Sequence, residues 1–129
     1  MKNYKIFISH SWNYNSDYYT IENWLDENLS WKNMSVPKHD ALESSTDQEL
    51  KEKIENRIKL SSGILIISGM YVNHSGWINT EIELAIKYGK AIIGIKPRGN
   101  ERTPTVISEN AIIVNWNSNS IINVIEENF

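Results

Sequence analysis

The chain of 129 residues predicts a single α/β domain over 1–129, with a five-stranded parallel sheet covered by helices on both faces. Two observations predict it. Short apolar runs alternate with helical patterns along the whole chain. Two of those runs, "GILIIS" at 63–68 and "AIIGIK" at 91–96, are continuously apolar, as befits strands buried on both faces.

The elements follow in order. "YKIFIS" (4–9) is rich in strand formers. "HSWNYNS" (10–16) is a polar loop whose Ser16, or Asp17 beyond it, can cap a helix. Ile21, Trp24, Leu25 and Leu29 then recur at helical spacing. "NMSV" (33–36) is the expected second strand, ended by Pro37, and "PKHDALESS" (37–45) a loop. Thr46 and Glu49 form a T-x-x-E capping box, followed by Leu50, Ile54 and Ile58 on one helix face. "GMYVNHSG" (69–76) is expected as a loop leading into a helix that stops at Gly89. "PRGNERTPTVISEN" (97–110) has Pro and Gly punctuation without strong periodicity. "AIIVNW" (111–116) is the last strand and "SNSIINVIEENF" (118–129) a terminal helix. This alternation suits a flavodoxin-like, three-layer arrangement with strand order 2-1-3-4-5.

Composition bounds the function. The apolar fraction is 40% and the net charge −3. No segment forms a basic patch, so nucleic acid is a poor partner. The absence of Cys excludes disulfides, thiol catalysis and Cys-based metal sites. The apolar core of "MKNYKIFISHSW" is too short for a signal sequence, and "GILIISGM" is too short to span a bilayer. The expectation is a soluble cytoplasmic protein with no membrane partner.

One residue of the helix after "GILIIS" breaks its pattern. At about 100° per residue, Leu84, Trp77, Tyr88, Ala85, Ile78, Ile82 and Ile86 fill one apolar arc of roughly 200°. Glu83 falls among the polar residues, with Lys87 four positions on as a surface partner. Glu81 falls inside the apolar arc, between Tyr88 and Ala85. The bland account of Glu81 is a first-turn acid favoured by the helix dipole, or one that snorkels from the arc edge.

In parallel sheets of this kind, ligands bind beyond the carboxyl ends of the strands. That edge collects Ser9, His10, Ser11 and Trp12 after strand 1, and His39 and Asp40 after strand 2. Tyr71 and His74 follow strand 3, with Trp77 and Glu81 opening the next helix. A lone loop His is usually a polar surface residue, and Trp77 alone is more often core than ligand platform. No His pair has metal-ligand spacing, so no metal is expected. The usual occupants of the fold fail in turn. "SHSWNYN" is no G-x-G-x-x-G dinucleotide fingerprint, and no P-loop exists. Ser68 and Gly69 stand where a phosphoacceptor receiver needs Asp. "SHSWNYNS" has hydroxyls but no Gly for a flavin phosphate.

Together, "KIFISHSW", "MSVPKH", "GMYVNHSGWINTEIELAIKYGKAIIGIKPRGNE" and "IIVNWNSNSI" resemble the bacterial TIR-like family of the Thoeris antiphage type, over about Tyr4 to Ile125. The W-x-x-x-E element, Trp77 to Glu81, is the most specific part. The resemblance implies NAD as substrate rather than as cofactor, cleaved between nicotinamide and ribose, with Glu81 as the catalytic residue. It implies a cyclic or conjugated ADP-ribose signal, released on infection and read by a separate effector protein. Substrate contacts implied beside Glu81 are Ser9, His10 and Ser11 to phosphates or ribose, Trp12 or Tyr71 to a ring, and Trp77 to ribose or nicotinamide. Asp40, with His39, lies where such domains carry a loop over the site. A homo-oligomer or a phage-derived trigger would fit the family. The segment 97–110 is short for the helix and loop that many members use in self-assembly, which counts against head-to-tail filaments.

A single carboxylate suits this chemistry. Ordinary glycosidases use two, one of them to protonate the leaving group. Nicotinamide in NAD is already cationic and leaves neutral, so only the positive charge developing on the ribose needs stabilising. Two other functions fit the same residues: a non-catalytic TIR-like interaction module, and a nucleoside deoxyribosyltransferase-like enzyme using the carboxylate as a nucleophile.

Overall fold

A computed structural model of the chain describes residues 2–9, 16–35, 46–68, 71–96 and 103–129, the side chains of 71–75 excepted. The strands are β1 (Asn3–Ser9), β2 (Ser30–Asn33), β3 (Gly63–Ile67), β4 (Ala91–Ile95) and β5 (Ile112–Val114). They pair in parallel in the order β2-β1-β3-β4-β5, as expected. The helices are α1 (Ser16–Asn28), α2 (Asp47–Leu60), α3 (Tyr71–Lys87), α4 (Thr105–Asn110) and α5 (Ser118–Asn128).

Register and crossovers sort every layer. One row across the sheet joins Ser9, Ile66, Gly94 and Ile113. A Cβ on Gly94 would lie 2.7 Å from Ile107 Cγ2 of α4, so this row faces α4. Right-handed crossovers put α2 and α3 on that same face, where each packs on its neighbour. Gly63, three residues before Ile66 on β3, faces the other way, and a Cβ there would strike the ring of Phe129 at the end of α5. That opposite face carries α1 and α5, with the rings of Trp24 and Trp116 5.4 Å apart. The core between the layers is dominated by isoleucine: Ile6, Ile8, Ile64, Ile66 and Ile93 of the strands are fully buried, as are Ile54, Ile58 and Ile78 of the helices. β-Branched side chains suit the doubly covered strands.

Four expectations need correction. The second strand is Ser30–Asn33, not 33–36. Asn33 Oδ1 accepts from the Ser35 amide at 2.9 Å and turns the chain out of the ladder. Met34 and Ser35 stay buried through the Met34 amide on the Ile6 carbonyl and the Ser35 hydroxyl on both backbone groups of Ile8. The apolar run there marked burial, not strand. Next, α3 starts at Tyr71, within the expected loop 69–76. Gly76 sits inside the helix without a positive φ, and packing outweighs its cost of about 1 kcal/mol. Third, α4 occupies 105–110, where no element was expected, since six residues are too few for a periodic signal. Last, α1 begins at Ser16, so Ser16 and Asp17 lie in its first turn rather than capping it. Elsewhere Thr46 Oγ1 accepts from the Glu49 amide at 3.1 Å, and Gly89 takes φ 66° after α3. No helix among the described residues is long and apolar enough to cross a membrane.

Candidate active site

The apolar arc of α3 turns inward as its periodicity requires. Ile78, Ile82, Leu84 and Ala85 are buried, Trp77 and Tyr88 partly so, and only Ile86 at the arc edge is exposed. Glu81 goes in with them, to 2% exposure. Because α3 begins at Tyr71, Glu81 lies well beyond the first turn. Neither the helix dipole nor snorkelling accounts for it.

Its surroundings do not satisfy it. Among the described residues, Glu81 Oε2 has no hydrogen-bond partner. Burial pushes its pKa up to about 8; Ser9 beside it favours the charged form, without its hydroxyl reaching hydrogen-bond geometry. Ser9 Oγ and Ser68 Oγ are likewise buried and unpartnered among these residues. Ser9 ends β1 on the α2–α4 face, and Ser68 follows the last residue of β3, Ile67, in a 3-10 turn. Glu81 and Ser9 therefore meet under α3 at the carboxyl end of β1, each with an oxygen that has no partner among the described residues, and Ser68 Oγ is a third such atom beyond the end of β3. Each such atom costs about 1–3 kcal/mol if left so.

Trp77, one turn before Glu81, lines an open cleft of about 360 Å³ between α2 and α3. Gly76, Thr80, Asp47, Gln48 and Lys51 line it too among the described residues. Glu81 is not part of the cleft wall; it lies behind the turn that Trp77 and Thr80 present. Among the described residues there is no group of three His, Asp or Glu able to hold a metal ion.

Of the residues expected at the site, the structure brings together Ser9 and Glu81, with Trp77 one turn away. His10, Ser11, Trp12, His39 and Asp40 lie outside the described residues. So do the side chains of Tyr71 and His74, whose backbones open α3. Glu83 is exposed as expected, but Lys87 pairs with Glu55 of α2 at 3.0 Å rather than with Glu83. The buried hydroxyl of Ser68 was not singled out in the sequence. Its signal was present: "KIFIS" and "GILIIS" both close an apolar strand on a serine.

The chain belongs to the TIR-like domain family of the Thoeris protein ThsB, whose model matches residues 7–102. No curated protein matches it in sequence. Among solved structures it is similar to the CMP N-glycosidase BcmB of Clostridium botulinum, with TM-score 0.59 and 13% identity over 95% of this chain and 98% of that one. It is also similar to a prokaryotic SEFIR domain, with TM-score 0.53 and 18% identity over 96% and 94% of the two chains. These likenesses are likenesses of fold.

Proposed function

We propose that this ThsB-type TIR-like domain is an enzyme that cleaves NAD between nicotinamide and ribose, with Glu81 as its catalytic carboxylate. The observation that carries the reading is a carboxyl 2% exposed, with an oxygen unpartnered among the described residues, at the sheet edge where ligands of this fold bind. A fold retains such a group at a cost in stability when something outside the chain completes it.

The raised pKa becomes part of the mechanism. Free, the carboxyl is largely protonated at neutral pH. A pyridinium brought against it favours the charged form and expels the proton. The carboxylate then faces positive charge that moves from the pyridinium to the ribose as the glycosidic bond breaks. In a site shielded from water, this attraction is stronger than in solvent. Trp77 offers a ring face to ribose or nicotinamide, and Ser9 a hydroxyl beside the carboxylate. Attack on the sugar by water gives ADP-ribose. Attack by a hydroxyl or ring nitrogen gives a cyclic or conjugated product, fit to signal to a separate effector in antiphage defence.

A second reading has its own observation. A carboxyl that holds its proton to about pH 8 is a competent general acid. A neutral base, such as the cytosine of CMP, needs protonation to leave. The CMP N-glycosidase of similar fold makes a nucleoside monophosphate a reasonable substrate to try. A non-catalytic module makes no use of Glu81 at all.

The test is incubation of purified protein with NAD or CMP, alone and in lysate from phage-infected cells, followed by mass spectrometry. Nicotinamide with an ADP-ribose derivative, lost in Glu81→Gln, is the expected result. Release of cytosine but not nicotinamide would favour the second reading. Intact NAD and CMP under every condition, with defence preserved in Glu81→Gln, would leave the interaction module.

A further inference from the structure

We infer that the cleft between α2 and α3 is the subsite for the 5′-phosphate of the substrate, with Lys51 as its phosphate contact, so that the protein takes nucleotides in preference to nucleosides. The inference rests on the reading of Glu81 as the group facing the anomeric carbon. It applies to NAD and to CMP alike, since both carry a phosphate on the 5′ carbon of the sugar to be cleaved.

Position comes first. Helices that cross between parallel strands start at the carboxyl edge of the sheet, so α2 and α3 both begin at the edge where Ser9 meets Glu81. Trp77 precedes Glu81 by four residues, about 6 Å along the helix axis and about 40° around it. Cα–Cβ bonds tilt toward the helix N-terminus, which carries the Glu81 side chain back toward the level of Trp77. A nucleoside with its 5′-phosphate is longer than one helical turn. A ribose passing the Trp77 ring can therefore keep its anomeric end toward Glu81 and its 5′ end toward the cleft. The cleft, at about 360 Å³, lies at the small end of the range for ligand pockets, roughly 300–1,000 Å³, and suits part of a nucleotide.

Elimination then picks out Lys51. On the α3 wall, Trp77 packs against the core as a ring, and Thr80 Oγ1 already donates to the Gly76 carbonyl at 3.1 Å. On the α2 wall, Gln48 turns along its own helix to Glu52 at 3.3 Å. Asp47 stands in the first turn of α2, where the helix dipole offsets its charge. Lys51 is exposed and forms no ion pair among the described residues. Glu55, which feels its charge, is already held by Tyr88 and Lys87. The Lys51 ammonium is thus the strong donor left on the wall, and it is cationic. Of the parts of a nucleotide, only the phosphate carries full negative charge, and lysine binds phosphate as a point charge.

The experiment measures binding by calorimetry in the Glu81→Gln background, where substrate survives the titration. Nicotinamide riboside is compared with nicotinamide mononucleotide and NAD, and cytidine with CMP, for proteins with Lys51 and with Lys51→Gln. The phosphorylated ligand should bind more tightly than its nucleoside. Lys51→Gln should cut that preference about threefold to tenfold, between a screened surface contact and a buried one. Lys51→Arg, which keeps the charge, should retain it. Lys59→Gln removes the same charge from the other end of α2, beside Tyr88 and off the cleft wall, and should leave the preference as it is. An unchanged ratio in Lys51→Gln, an equal loss in Lys59→Gln, or no binding of any of these ligands overturns the inference. Base release by the wild-type protein judges the cleavage reading separately. Release with an unchanged ratio sinks only the role of Lys51, and a changed ratio without release sinks only the cleavage.

Discussion

Two glutamates on the same pair of helices behave in opposite ways. Glu55 of α2 accepts a hydrogen bond from Tyr88 at 2.6 Å and pairs with Lys87 at 3.0 Å, at the surface where α2 meets the end of α3. Tyr88 and then Lys87 hold its carboxyl below its ordinary pKa. Glu81, on the inner side of α3, is buried with one carboxyl oxygen unpartnered among the described residues, and burial moves its pKa the other way, to about 8. Glu55 is a solved structural problem: two helices, one acid, matched donors. Glu81 is an unsolved one, retained inside an apolar core in which isoleucine predominates. The difference separates a perturbed group that serves the fold from one that serves a ligand.

Replacing each acid should widen that contrast. Glu81→Gln keeps the shape and removes the charge; nicotinamide release should fall by about 10³ or more, within the range for loss of a central electrostatic group. The same variant should change the pH dependence of stability. An acid whose folded pKa is raised contributes most below its ordinary value of 4.5, and that contribution is lost as pH climbs through about 8. Wild-type stability should therefore fall over that window by an amount with a ceiling of roughly 5 kcal/mol, and Glu81→Gln should lack this slope. Denaturant melts at pH 5, 7 and 9 would show it.

Smaller effects complete the set. Trp77→Ala should cost about tenfold to a hundredfold in kcat/KM, from loss of a stacking face worth about 1–3 kcal/mol, while Trp77→Phe retains most of it. Tyr88→Phe and Glu55→Gln should leave NAD cleavage unchanged and move Tm by about 2 °C or less, since the pair is at the surface. What stability Glu55 adds should be present above pH 4.5, lost as pH falls through its depressed pKa, and weakened by salt. Loss of cleavage in Glu55→Gln would erase the distinction between the two acids.

Much of this was legible in the chain. The doubly buried strands 63–67 and 91–95 declared themselves because every position in them needs an apolar residue. Glu81 declared itself because helical period turns a polar residue in an apolar arc into a buried one. What failed were features decided by tertiary context. Gly76 read as loop and sits in a helix. "NMSV" read as strand because burial and extension share one signal. Lys87 reached across to Glu55 instead of along its own helix to Glu83. Ser68 carried no weight as a lone serine; its burial just beyond the end of β3 is a tertiary fact. His10, Ser11, Trp12 and Asp40 lie outside the described residues.

The central claim is that Glu81 acts as a carboxylate toward a cationic leaving group, and the pH profile of kcat/KM for nicotinamide release between pH 5 and 10 tests it most directly. That quantity follows the free enzyme. It should rise about tenfold per pH unit and level off above about pH 8, where the free carboxyl ionises. The profile for kcat should level off at lower pH, because bound pyridinium favours the charged form. A kcat/KM that falls as pH rises through 8 would contradict the account, since it would make protonated Glu81 the active species and an acid the catalyst.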